Sequence, residues 1–147
     1  MLQIGEKTYG EETVIPNGEI LYKYLYPKAI PPGQKEIDPA TFSQKEMSCD
    51  WAKIQKTPES SFHIKEGKTI IASITVCQAI RNPRNPKNKG EIEPAWKQHI
   101  VHDPITENED PKNGSNPSHS LIYGKKRGPV QEAISNNCTW REVPPQD

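Results

Sequence analysis

Thr69-Ile70-Ile71-Ala72-Ser73-Ile74-Thr75-Val76-Cys77-Gln78-Ala79-Ile80 is the most hydrophobic run in the chain. A two-residue alternation puts Ile70, Ala72, Ile74 and Val76 on one face and Ile71, Ser73, Thr75 and Cys77 on the other. Its richness in β-branched residues favours a central strand over a buried helix. Shorter runs on either side repeat the pattern. Residues 19–26 (EILYKYLY) place Tyr22, Tyr24 and Tyr26 on one side and Leu21, Lys23 and Leu25 on the other. Residues 47–51 (MSCDW), 96–102 and 119–123 (HSLIY) read as further strands, about five in all.

Helices are few and small. Asp38-Pro39 opens a short turn, and Thr57-Pro58 has a cap followed by proline at the first helical position. Residues 129–136 (PVQEAISN) form a short amphipathic helix with Val130, Ala133 and Ile134 as its apolar stripe. The links between strands lack the helical length that parallel crossovers need. The expected fold is therefore α+β: a small, mostly antiparallel sheet with two or three short helices and long Pro-rich loops.

Composition agrees with a small core. Apolar residues make up 32% of the 147 residues and there are 15 prolines, against a usual apolar share of about 45–50%. One α+β domain is expected over residues 19–141. Residues 1–18, polar and punctuated by Gly5, Gly10, Pro16 and Asn17-Gly18, read as a flexible arm, and 142–147 as a disordered tail. Nineteen basic and nineteen acidic residues cancel, so no global field steers the chain onto nucleic acid or an anionic membrane.

Cys49, Cys77 and Cys138 are odd in number, widely spaced and without a CxxC pair. That excludes a disulfide framework and a cysteine-rich zinc site and fits a reducing compartment. The first residues carry no apolar signal region, and no apolar run nears the ~20 residues of a membrane span. The expected location is the cytoplasm. A phosphate-binding glycine loop, a GxSxG elbow, HExxH and a dinucleotide fingerprint are all missing, and any cofactor is unknown.

Chemically capable side chains are densest between Trp96 and Tyr123. His102-Asp103-Pro104 ends one strand, and Asn116-Pro117-Ser118-His119-Ser120 begins another. Pairing of these strands as a long hairpin would bring His102 and His119 to one sheet edge, where either imidazole could serve as a general base beside Ser120. The same residues also serve as turn formers and caps. The two histidines lack the fixed spacing of a metal motif, so no metal site is expected. Ser48 and Asp50 share one face of a short strand and suit hydrogen bonding to a ligand. Lys23 or Arg81 could grip a phosphate. The basic loops around Arg81 and Lys125-Lys126-Arg127 lack interleaved aromatics, which argues against nucleic acid.

Leu21-Tyr22-Lys23, Met47-Ser48-Cys49-Asp50, Ala72-Ser73-Ile74, His102-Asp103-Pro104 and Asn116-Pro117-Ser118-His119, in this order, resemble a family of small bacterial proteins recorded as hypothetical. The resemblance spans residues 21–134 and implies no established activity. Lys23 stands where that pattern has arginine. A basic residue on an early strand followed by a serine-bearing strand is also similar to the order in the ADP-ribosyltransferase fold, which further implies a catalytic glutamate that has no counterpart here.

These readings converge on an accessory domain that binds a partner protein or a small ligand through a polar edge. The ligand-binding candidates are Lys23, Ser48, Asp50, Arg81, His102, Asp103, Asn116, His119 and Ser120. The alternatives are an enzyme acting on a nucleotide or phosphate ester with a histidine base, and a nucleic-acid module using the basic loops.

Overall fold

The computed structural model describes residues 2–61, 63–64 and 67–144. Its centre is an antiparallel sheet of six strands. In chain order these are β3 (Ile20–Leu25), β4 (Glu46–Trp51), β5 (Thr69–Thr75), β8 (His99–His102), β9 (His119–Tyr123) and β10 (Cys138–Val143), with spatial order β10-β5-β3-β4-β9-β8. Two small ribbons accompany it, β1 (Leu2–Ile4) with β2 (Lys7–Tyr9), and β6 (Arg84–Asn85) with β7 (Glu91–Ile92). The described helices are α1 (Gln78–Arg81) and α2 (Gly128–Asn136), with short 3-10 turns in the loops.

The alternation that defines the strands also sorts the core. Leu21, Met47, Cys49, Ile70, Ala72, Ile74, Ile100 and Ile122 share one face of the sheet. Phe42, Ile15, Ile37, Ile80 from α1, and Val130 and Ile134 from α2 close over it. This is the amphipathic stripe expected of α2, with Pro129 in its first turn where the missing N–H costs nothing.

The opposite face carries a smaller cluster, in which Tyr9, Val101 and Leu121 pack with Leu2 and Ile4. Residues 2–9, read as a loose arm, thus form a hairpin laid on the sheet. The next residues continue inward: Ile15 is fully buried and its amide donates to the carbonyl of Ile100.

Several boundaries differ from expectation for local reasons. The run from Thr69 does not stay extended to Ile80; the strand stops at Thr75, and Cys77 precedes α1. Trp96 belongs to a 3-10 turn opened by Pro94, so β8 begins only at His99. Thr57 makes no side-chain cap; the Ser60 hydroxyl instead donates to its carbonyl. Residues 138–143, whose C-terminal end was assigned to a tail, form β10 along β5 from Cys138 opposite Ile74 to Val143 opposite Thr69. The last residues of that tail, 145–147, lie outside the described residues. No described helix is long and apolar enough to cross a membrane.

Candidate functional site

The site originates in a fault in the sheet. Strand β4 pairs with β9 over five residues, from Glu46 to Asp50, but its ladder with β3 covers only Leu21–Trp51 and Tyr22–Asp50. Beyond Tyr22 the two strands part. The Lys23 ammonium bridges the seam, donating to the Ser48 carbonyl at 3.0 Å and to Gln44 Oε1 at 3.3 Å. A cavity of about 110 Å³ opens there, lined by Lys23, Tyr24, Ser48, Cys49, Asp50, His63 and His119.

His119 is opposite Asp50 in the ladder, but its ring leans diagonally to Ser48, where Nε2 lies 3.1 Å from Oγ. Such a diagonal reach across neighbouring strands is within range of a long side chain. At the other end of the ring, Nδ1 lies 2.9 Å from the Asp103 carbonyl and 3.1 Å from its Oδ2. Both of those oxygens accept and neither donates, so the proton of the neutral ring belongs on Nδ1. Nε2 is left with its lone pair toward the Ser48 hydroxyl. Asp103, His119 and Ser48 thus form a hydrogen-bonded line from a buried carboxylate to the hydroxyl of an exposed residue.

Asp103 is held from three sides. The Tyr9 hydroxyl donates to Oδ1 at 2.8 Å and Lys7 Nζ at 3.1 Å, while His119 takes Oδ2. Burial opposes the charged carboxylate, but the hydrogen bonds from His119, Tyr9 and Lys7 outweigh it and keep the Asp103 carboxyl below its ordinary value. The partners supplied by β2 explain why the N-terminal hairpin is ordered against this corner.

A second polar group lies beside the first. Asp50, 2% exposed, accepts from Asn116 Nδ2 at 3.1 Å, and the Ser118 hydroxyl donates to Asn116 Oδ1 at 2.9 Å. His63 Nε2 sits 4.0 Å from Asp50 Oδ2, and its ring stacks on Tyr24 with centroids 5.3 Å apart. Burial first, then the nearby Asp50 charge, pushes the Tyr24 phenol up. That hydroxyl is buried, with Asp50 and Ser61 as its polar neighbours.

Of the residues singled out from sequence, Lys23, Ser48, Asp50 and His119 line one cavity, with Asp103 and Asn116 directly behind. The other three lie elsewhere. Because His102 pairs with Ser120 rather than His119, it points to the opposite face; its Nε2 donates to the Pro117 carbonyl at 2.7 Å and its ring meets Trp51 edge-on. The pairing of His102 with His119 in one site is therefore corrected by one residue of register. Ser120 is fully buried, and its hydroxyl donates to the Ser118 carbonyl at 3.0 Å rather than facing a base. Arg81 braces residues 15–17 through the Ile15 carbonyl and Asn17 Oδ1 and has no place at the cavity that holds His119.

Tyr24, His63, Tyr9 and Lys7 were missed. Tyr24 was legible as sharing a face with Tyr22; His63, in a loop, carried no periodic signal. In the basic loops Arg81 and Lys126 turn inward, while Arg84, Lys87, Lys89, Lys125 and Arg127 are exposed. Lys126 donates to the carbonyls of Ile122, Gly124 and Lys45, and burial pushes its ammonium down to about 8. Among the described residues no three His, Cys, Asp or Glu side chains converge as metal ligands would. No family model, no curated protein and no solved structure matches the chain.

Proposed function

We propose that this protein is an ester-cleaving enzyme in which Ser48 is the nucleophile, His119 the general base and Asp103 the group that orients the base. The observation that carries the reading is the line Asp103 Oδ2 to His119 Nδ1 at 3.1 Å and His119 Nε2 to Ser48 Oγ at 3.1 Å, ending at a serine that lines a cleft. A serine hydroxyl is a poor nucleophile until a base takes its proton, and this order of groups is how that base is supplied and aimed.

The chemistry follows from the positions. Ser48 Oγ attacks the ester carbonyl carbon as its proton passes to His119 Nε2. The C–O bond to the leaving alcohol then breaks, and the imidazolium returns that proton to the departing oxygen. Water attacks the acyl-serine, giving its proton to His119. The acid departs, and the proton restores the Ser48 hydroxyl. Through both halves Asp103 stabilises the charged imidazolium.

The test is labelling with a fluorophosphonate, read by intact mass and peptide mapping, alongside hydrolysis of p-nitrophenyl acetate. The reading expects one adduct, on Ser48, that is lost in Ser48→Ala and His119→Ala. An unlabelled Ser48 together with equal hydrolysis by wild type and Ser48→Ala overturns it. The second reading is a binding module that uses the same cleft without turnover. It is favoured by Asp50, a buried carboxylate whose Oδ2 faces His63 across 4.0 Å and is suited to a ligand donor.

A further inference from the structure

The reacting cavity is too small for a substrate. About 110 Å³ holds little more than an acyl group, whereas small-molecule sites generally occupy about 300–1,000 Å³. Most of any ligand must lie next door. Beside it lies a groove of about 560 Å³ that shares Lys23 and Tyr24 with the cavity as a common wall.

The chemistry of that groove is selective. Lys23 and Lys28 supply two ammonium groups, and Thr41, Ser43 and Gln44 supply neutral hydrogen-bonding groups. Its one carboxylate, Asp38, is occupied in accepting from the Ala40 amide at 3.0 Å. The shared wall is formed by Lys23 and Tyr24. Two cations, several donors and one engaged acid describe a place for a phosphate.

We infer that the substrate is a phosphorylated ester of about mononucleotide size, its phosphate between Lys23 and Lys28 and its acyl group at Ser48. This rests on the reading of Ser48, His119 and Asp103 as an ester-cleaving site. It adds the identity of what is cleaved.

Two measurements on the full chain test it. In the first, 2′(3′)-O-acetyl-AMP and 2′(3′)-O-acetyladenosine, which differ only in the phosphate, are compared as substrates. The phosphorylated ester should have a kcat/KM at least tenfold higher. Lys28→Gln should remove most of that advantage through KM. In the second, AMP and adenosine are titrated into Ser48→Ala by calorimetry. AMP should bind at least tenfold tighter, and Lys28→Gln in that background should erase the difference. Equal kcat/KM for the two esters, or AMP binding no tighter than adenosine, overturns the substrate assignment while leaving Ser48 labelling intact. If Ser48 resists the fluorophosphonate and neither ester is cleaved, the ester-cleaving reading falls, and the AMP titration still decides whether the groove takes phosphate.

Discussion

His102 and His119 stand at the same end of neighbouring strands and point to opposite faces of the sheet, because the ladder sets His102 against Ser120 and not against His119. One imidazole ties a loop carbonyl and meets Trp51; the other joins Asp103 to Ser48. Two histidines with equal claims in the sequence thereby separate into different tasks.

That separation predicts a contrast between two alanine variants. His119→Ala should abolish Ser48 labelling and ester hydrolysis. His102→Ala should keep both within about threefold and should cost about 0.5–1.5 kcal/mol, the usual net worth of one intramolecular hydrogen bond. Urea unfolding and initial rates measure the two effects. Loss of hydrolysis in both variants would return His102 to the site.

Asp103→Asn tests the tautomer. An amide in place of the carboxylate removes the charge that stabilises the imidazolium. Its NH₂ competes with the Asp103 backbone carbonyl for Nδ1, favouring the tautomer whose lone pair faces away from Ser48. The rate should fall by about 10²–10⁴-fold, as such replacements do in serine hydrolases. The same variant has a stability signature. The folded carboxyl lies below its ordinary value, so its contribution is fully present above pH 3.8 and is lost as pH falls through the folded value. The difference in unfolding free energy between wild type and Asp103→Asn should be constant near neutrality and shrink below about pH 4. A difference that does not change with pH would contradict the role of Lys7, Tyr9 and His119 as partners of the charged form.

How much of this was legible in the sequence depended on how each element earns its stability. Strand β9 was read at its observed bounds because Leu121 and Ile122 are packed on both faces of a paired strand. Strand β10 was not, since Thr139, Arg141 and Glu142 are polar and an outer strand can satisfy its pairing with little apolar surface. The hairpin from Leu2 to Tyr9 is short, and its order comes from contacts of Tyr9 and Lys7 with Asp103, 94 and 96 residues away. No local pattern encodes a contact of that range. For the site, Ser48 with Asp50 on one face followed from the two-residue period. Which histidine joined them depended on register, and His63 came from a loop.

The Tyr9 phenol gives an alkaline prediction of opposite sense to that of Asp103. Burial first, then the hydrogen bond to Asp103 and its charge, pushes this phenol up to about 12 from 10.0. Between those values the unfolded chain releases a proton that the folded chain keeps, so stability falls as pH rises from 10 to 12. Tyr9→Phe removes the group and should unfold less steeply over that window, while costing about 0.5–1.5 kcal/mol at neutral pH. Circular dichroism melts at stepped pH distinguish the two slopes. Parallel slopes would place Tyr9 in water.

Gly124 closes β9 at the one glycine where both conformation and space exclude a side chain, since a Cβ built on it meets the Lys97 carbonyl at 2.5 Å and Gln98 Nε2 at 2.6 Å. Its φ of 153° lies on the positive side, where glycine pays no steric penalty. Gln98, 1% exposed, cannot move aside cheaply, because its Nε2 donates to the carbonyls of Trp96 at 2.9 Å and Lys125 at 2.8 Å. Gly124→Ala should therefore destabilise by about 1–3 kcal/mol, the cost of overpacking a closed site, and lower the urea midpoint without changing which residue the fluorophosphonate labels. His119 lies at the far end of the same strand and is held there by Asp103 and not by the β9 terminus. Under conditions where the variant is still folded, its ester hydrolysis per folded molecule should match that of the wild type. A loss of rate greater than the loss of folded protein would mean that the turn at Gly124 also sets the register that aims His119 at Ser48.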